Sequence, residues 1–436
     1  MRITAPPSGA RIEVDQINLA DTDLYTKGDA HLVWQTLRAE RPVFWQKRAT
    51  GQGFWAVTRH ADVRRVLGEH KTFSSQGGTA IAMLDRPDPA AGLMMQATDP
   101  PRHRQFREHL GKPFTPRAVD EYTEFIRTFV SDAIEPVRDG AVVDVAVSLG
   151  PLPMAVGAKM MGLPAADIDP LMRLAYASLA PDDPRYQTPG VAGPTAAHAH
   201  YEIVGYFASR VAECRKNPGD DLISHLLTVE VGGRRMTDHE LLANCLSLLL
   251  GAVVTTSHVI TATIIALAEA HGGEGHWPDN PSMRAMIEEA LCWSSPVTHF
   301  MRRARHDTQI CGQKINEGDA VTAWIASANR DESTFARAYE LDFSRAPNRH
   351  VAFGVGPHIC LGRNLARLML WHSFEQLIVS IESFELADVP AHLVSNEIAG
   401  VVSLPVQAKL PRVLKDSLAV VDGGRAPRWS ARGSRV

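Results

Sequence analysis

The chain has 436 residues, 45% of them hydrophobic, with 45 basic against 49 acidic side chains and a formal charge of −4. That is ample material for a large core, and the near balance of charge excludes the single-sign field that drives binding to nucleic acid or an anionic membrane. Five cysteines without paired spacing (Cys214, Cys245, Cys292, Cys311, Cys360) argue against a disulfide framework or a four-thiolate zinc site and for reduced thiols in a cytoplasm.

Length alone suggests two or three domains at roughly 150 residues each. The start, MRITAPPSGARIEV, lacks the apolar run of a secretory signal. PVFW (42–45) and GFWAV (53–57), joined by KRATGQ, read as a β-hairpin. Residues 74–101 form a long, methionine-rich loop, and 181–200 a second; loops of this length are usually functional or disordered. Between them, AVDEYTEFIRTFVSDAIEPV has the spacing of an amphipathic helix. The 24 residues Cys245–Ala268 carry no Asp, Glu, Lys or Arg. Thr237 and Glu240 cap the stretch in front, Gly272 and Gly273 stop it, and the pattern predicts one helix of about 34 residues, roughly 50 Å long. Its middle is polar (Thr255, Thr256, Ser257, His258), so a buried core helix is expected rather than a membrane span. Strand-like pieces return in QKINEGDAVTAWIA. Residues 399–411 read as a closing hairpin and 416–436 as a disordered tail.

The densest signal is FGVGPHICLG at 353–362, running into NLARLMLWHSFEQLIVSI. Gly354 and Gly356 permit positive φ and the close approach of a planar partner. Gly362 follows the cysteine where a helix must pass close to whatever the sulfur holds. Cys360 falls near that helix's N-terminus, where backbone N–H groups stabilise a thiolate suited to iron. Other readings are weaker. A dinucleotide G-x-G-x-x-G fails at Ile359, a nucleophile lacks a placed base, and a lone cysteine is most often structural.

The pattern Phe353, Gly354, Gly356, His358, Cys360, Gly362 closely resembles the haem-binding loop of the cytochrome P450 family, and the resemblance runs through the chain in order. DPPRHRQFREHL (99–110) resembles the family's segment whose His and Arg reach haem propionates, here His103 and Arg107. PVTHFMRRA (296–304) resembles its propionate-binding strand, here Arg302. The segments 328–345 and RHVAFGVG also match. The resemblance implies a mainly α fold with a small β-rich region, one domain over 1–415 and a long central core helix. It implies heme b (iron protoporphyrin IX), with Cys360 as the metal's axial thiolate, His358 on a propionate, and Phe353, Gly354 and Gly362 against the cofactor. It further implies a cytoplasmic monooxygenase that uses O2 and electrons from a ferredoxin and its reductase. That enzyme would hydroxylate or epoxidise an apolar small molecule, in secondary metabolism, without nucleic acid or membrane. Thr255 and Thr256 take the catalytic alcohol positions. Met94, Val253, Val254, Val297, His299 and Val402, with Met83 and Met95, are the expected pocket lining. Lys112, Arg363 and Arg367 offer a basic face to an acidic ferredoxin.

Two positions depart from the family. Cys292 stands where Glu-x-x-Arg has its arginine, so Glu289 and Arg345 are expected to form a network short of one member, with a water or a neighbouring side chain moved in. Val254 stands where an acid precedes the threonine, and valine carries no proton. His258, one turn on, shares that face and is weighed as a relay against a packed core histidine. A haem enzyme of altered chemistry (cyclisation, coupling or peroxide-driven oxidation) and a catalytically silent scaffold are the rival readings.

Overall fold

The N-terminal hairpin forms as expected. Val43–Gln46 pairs antiparallel with Phe54–Val57, with Trp45 opposite Trp55 and their rings 5.1 Å apart. Phe54 and Ala56 bury into one apolar cluster and Val57, with Trp55 partly covered, packs into another on the opposite face, so alternate residues serve two sides. The hairpin is one edge of a five-stranded sheet in a computed structural model that describes residues 1, 6, 9–138, 140–187, 195–279 and 281–411. Ala320–Trp324 lies parallel to the hairpin's second strand, His299–Ala304 antiparallel to that, and Phe73–Ser74 closes the other edge. The expected tail at 416–436 and residues 188–194 of the second loop lie outside the described residues.

Helices make up most of the remainder. Thr123–Arg138 buries Ile126, Val130, Ile134 and Val137, a stripe at helical spacing. It packs with Leu152–Met161, Met283–Ser294 and Arg363–Ser380 around the largest apolar cluster. This is the mainly α architecture with a small β-rich side that the sequence suggested.

Two expectations change. Residues 399–411 do not fold back as a hairpin: Val401–Ser403 pairs with Ala391–His392, whereas Pro405–Lys409 pairs with Ser383–Leu386 and Val142–Asp144. Only Leu404 separates the two strands. Its N–H donates to Asp144 Oδ1 at 2.8 Å and its carbonyl accepts from Val145 N at 2.9 Å, so the chain continues instead of turning.

The long apolar stretch is two helices, Asp238–Val253 and Thr256–Ala270. The capping box at Thr237 and Glu240 is present, and Gly272 and Gly273 take the positive φ that ends the run. The interruption is at Val254 (φ −108°, ψ 16°) and Thr255 (φ −127°, ψ −60°). Adjacent β-branched residues are stiff in a helix, and a threonine hydroxyl competes for its backbone groups. Asp238–Ala270 is long and apolar enough to cross a membrane, yet 61% of its most apolar window is buried inside the protein.

The network around Glu289 is completed by a neighbouring side chain, Asn348, in the way the missing arginine led one to expect. Its oxygens accept from Arg345 Nε at 3.0 Å, Asn348 Nδ2 at 2.8 Å and the Asp342 N–H at 3.0 Å. Cys292 packs apolarly with Phe335 and Ala338. The neighbouring Arg330 donates to the Cys292 and Trp293 carbonyls at 3.0 and 2.6 Å, and its guanidinium lies 4.4 Å from the Trp293 ring centre.

Candidate functional site

The cysteine loop hangs from Asn329, whose Oδ1 accepts the Val351 N–H at 2.8 Å. Gly354 (φ 68°) and Gly356 (φ 72°) adopt the left-handed backbone the loop demands. A Cβ on Gly356 would meet Gly68 Cα at 2.8 Å. Cys360 donates its N–H to the Phe353 carbonyl at 2.8 Å, and Arg363–Ser380 begins just beyond it. Residues 352–364 remain partly open although they lie between buried elements, and a Cβ on Gly362 would meet nothing within 4 Å. The loop therefore faces a space that a flat partner can approach closely. Burial pushes the Cys360 thiol up, opposed by the Gly362 N–H and by Arg107, Arg363 and Arg367, all of which favour the thiolate.

Phe353 is held from behind. Arg367 lies 4.6 Å over its ring and makes two hydrogen bonds to Glu288, at 2.5 and 2.8 Å, while His350 Nε2 is 2.9 Å from the same carboxylate. Burial opposes ionisation of Glu288, but the bonds from Arg367 and His350 outweigh it and hold the group near 2. Arg367 is thus committed to an internal ion pair and is no free docking charge. Arg363 donates to the Cys360 carbonyl at 3.2 Å.

Beside the loop, four basic groups converge. His103 and Arg107 sit one turn apart on Arg102–Leu110. The His103 ring, 1% exposed, lies 4.2 Å from that of His358, and neither His103 nitrogen has a partner. Arg302, 4% exposed, donates only to the Met301 carbonyl at 2.8 Å. Among the described residues no carboxylate pairs with Arg107 or Arg302. Asp99, the acid nearest the cluster, is engaged by Ser74 Oγ at 2.5 Å and the Ser75 N–H at 2.9 Å. The electrostatics agree. Burial and then Arg107 hold His103 near 4; burial, Arg302, His103 and Arg107 hold His358 near 2; burial lowers Arg302 to about 10. The two imidazoles are therefore neutral donors, while the buried Arg302 and half-buried Arg107 are cations that need an anion the chain does not supply. The donor set fits a partner with carboxylates at its edge, and the propionates of a haem beside Cys360 meet that description. Ser75, whose Oγ lies 3.1 Å from His358 Nε2, is a member that no sequence pattern announced.

Across the space, the expected lining residues divide. Thr255, Val297, Val402, Met83 and Met95 keep open surface. Met94, Val253, Val254 and Thr256 are enclosed, Val254 at 2% exposure in the apolar cluster that includes Leu393 and Ile398. His299 is also enclosed, at 1%, its ring 4.4 Å from Trp324 and its Nδ1 2.9 Å from the Thr298 hydroxyl. His299 presents no surface to the pocket because it is buried within the sheet, whereas Val253 and Val254 are covered by the apolar cluster packed around the long helix. His258 is a packed core residue: its Nδ1 accepts from the Val401 N–H at 3.3 Å and its Nε2 lies 3.4 Å from the Tyr176 hydroxyl. The methionine-rich loop is strapped to the helix Asp238–Val253 by Asn244, which accepts the Met95 N–H at 2.9 Å and donates to the Leu93 carbonyl at 3.0 Å.

The sequence profile of the cytochrome P450 family matches residues 277–411. The chain is similar to cytochrome P450 NovI of Streptomyces niveus, 32% identical over 419 residues covering 93% of this chain and 98% of that one. It is similar to linalool 8-monooxygenase of Pseudomonas putida, 31% identical over 404 residues covering 90% and 99%. The crystal structure of P450 OxyD, involved in the biosynthesis of vancomycin-type antibiotics, superposes with a TM-score of 0.78 at 32% identity, over 91% of this chain and all of that one.

Proposed function

The chain belongs to the cytochrome P450 family, and on that premise we propose that it is a cytoplasmic haem-thiolate monooxygenase of secondary metabolism. It takes O2 and electrons from a ferredoxin and its reductase, and hydroxylates or epoxidises an apolar small molecule. Its five cysteines include no C-x-x-C-H attachment, which favours non-covalent heme b. The observation that carries the reading is the unpaired basic cluster beside the open face of the Cys360 loop.

In this reading Cys360 ligates the iron, and His103, Arg107, Arg302 and His358 hold the propionates. Phe353, Gly354 and Gly362 form the flat bed. When bound, a thiolate-ligated haem supplies O2 activation for attack on a C–H or C=C bond. The chain's own residues do the rest. The glycines keep the approach free of side chains, Phe353 and its Arg367–Glu288 clamp fix the loop, and Thr255 Oγ1 offers a proton at the helix break. Thr256, Met94, Val253, Val254 and His299 support the walls from behind, while Val297 and Val402 face the substrate.

A second reading, oxidation that needs less proton delivery such as coupling, cyclisation or peroxide-driven turnover, draws on the enclosure of Val254 and the packing of His258, which leave Thr255 without an acidic neighbour on its helix. The test is the reduced, carbon monoxide-bound absorption spectrum. The expected result is a strongly red-shifted Soret band, abolished in Cys360→Ser. A neutral-ligand band in the unaltered protein overturns the assignment.

A further inference from the structure

Glu397 stands alone in the apolar run that closes the pocket. Its backbone is fixed: the Thr298 N–H and hydroxyl donate to its carbonyl at 2.9 and 3.2 Å, and its N–H donates to Ser395 Oγ at 3.1 Å. The adjacent isolated bridge between Val297 and Ile398 joins it to the segment that leads into the strand carrying Arg302. Three residues on, the chain lies against the resumed long helix, where a Cβ on Gly400 would meet His258 Nε2 at 2.9 Å. The position therefore lies between the Arg302 strand and the helix break at Thr255.

Its neighbours Thr298, Ser395 and Ile398 are buried, yet Glu397 keeps exposed surface while deeply enclosed by protein. That combination describes a side chain on an internal space, not on the outer surface. Among the described residues its carboxyl makes no hydrogen bond and no ion pair. The nearby imidazoles are no counter-charge: burial holds His299 near 3 and His258 near 4, so both are neutral. Burial alone raises Glu397 to about 7. A lone buried carboxylate costs several kcal/mol unless a cation joins it.

We propose that Glu397 is a substrate-recognition residue, and that the substrate is an otherwise apolar molecule bearing a cationic nitrogen group that pairs with its carboxylate. This rests on the monooxygenase reading and adds to it the substrate's charge. The pairing fixes one end of the ligand, so the remainder is directed over the open side of Val297, Val402 and Thr255.

The experiment is calorimetric titration of the haem-loaded full chain at pH 8 with n-octylguanidinium and n-octylurea. The two head groups are close in shape, differ in charge, and neither coordinates iron at that pH. The expected result is guanidinium binding at least about tenfold tighter than urea, as a charge-assisted carboxylate pair implies. Glu397→Gln should erase that preference while changing urea affinity by less than about threefold, and Glu397→Asp should retain most of it. No binding of either probe, equal binding of both, or a preference that survives in Glu397→Gln overturns the proposal. The carbon monoxide spectrum of the same preparations is read separately, so loss of the haem-thiolate assignment is distinguishable from loss of the recognition role.

Discussion

Two buried polar clusters flank the cysteine loop, and they are finished differently. Around Glu289, each charge is matched inside the chain: Arg345, Asn348 and the Asp342 backbone saturate the carboxylate. Around Arg302, His103 has no partner on either nitrogen and the arginine donates only to the neighbouring carbonyl. Both clusters bear the cost of desolvating charge, but only the first recovers it within the fold. Matched charge of this kind holds a structure together. Unmatched charge marks the place where something else completes it, and in the proposal above Glu397 repeats the second pattern with the opposite sign.

Substitutions can break this contrast. Glu289→Ala should have the largest effect on stability, about 3–5 kcal/mol, because it strands Arg345 in a buried site; the far-UV denaturation midpoint measures it. Asn348→Ala should cost about 1–3 kcal/mol by the same readout, since one of three donors to a buried carboxylate is lost. Arg302→Leu should leave that midpoint nearly unchanged, because no carboxylate loses a partner. It should instead speed haem loss to excess apomyoglobin by roughly ten- to a hundredfold, the worth of one or two charge-assisted hydrogen bonds. An Arg302→Leu protein that unfolds early while retaining haem would erase the distinction between the clusters.

Much of the site was legible because its core is local. Within ten residues, Gly354, Gly356, His358, Cys360 and Gly362 each answer a backbone or ligand demand that chain spacing exposes. The spacing of His103 and Arg107 put them on one helical face, but their place at the site was legible only through the family resemblance. The break at Val254 and Thr255 was not. The uncharged stretch runs through it without a proline to mark a stop, and the resumed helix is anchored by Val401 bonding to His258, residues 143 apart in sequence. His299 looked like a pocket contact by position along its strand. Its ring direction depended on Trp324, a neighbour brought by sheet pairing.

The same division holds for the whole molecule. From the residues alone came the glycine-flanked cysteine, the capped start and glycine stop of the long apolar run, and the dominance of helical pattern; the basic residues beside the cysteine came only through the family resemblance. Spacing and backbone permission act over one or two turns and leave marks in the string. Only the tertiary structure decided that the segment at 399–411 joins two different sheets, that Asn348 completes the Glu289 network, that His258 is packed away, and that the Glu397 carboxyl has no partner among the described residues. Whether a polar group is paired depends on which distant elements close around it, and local sequence does not contain that information.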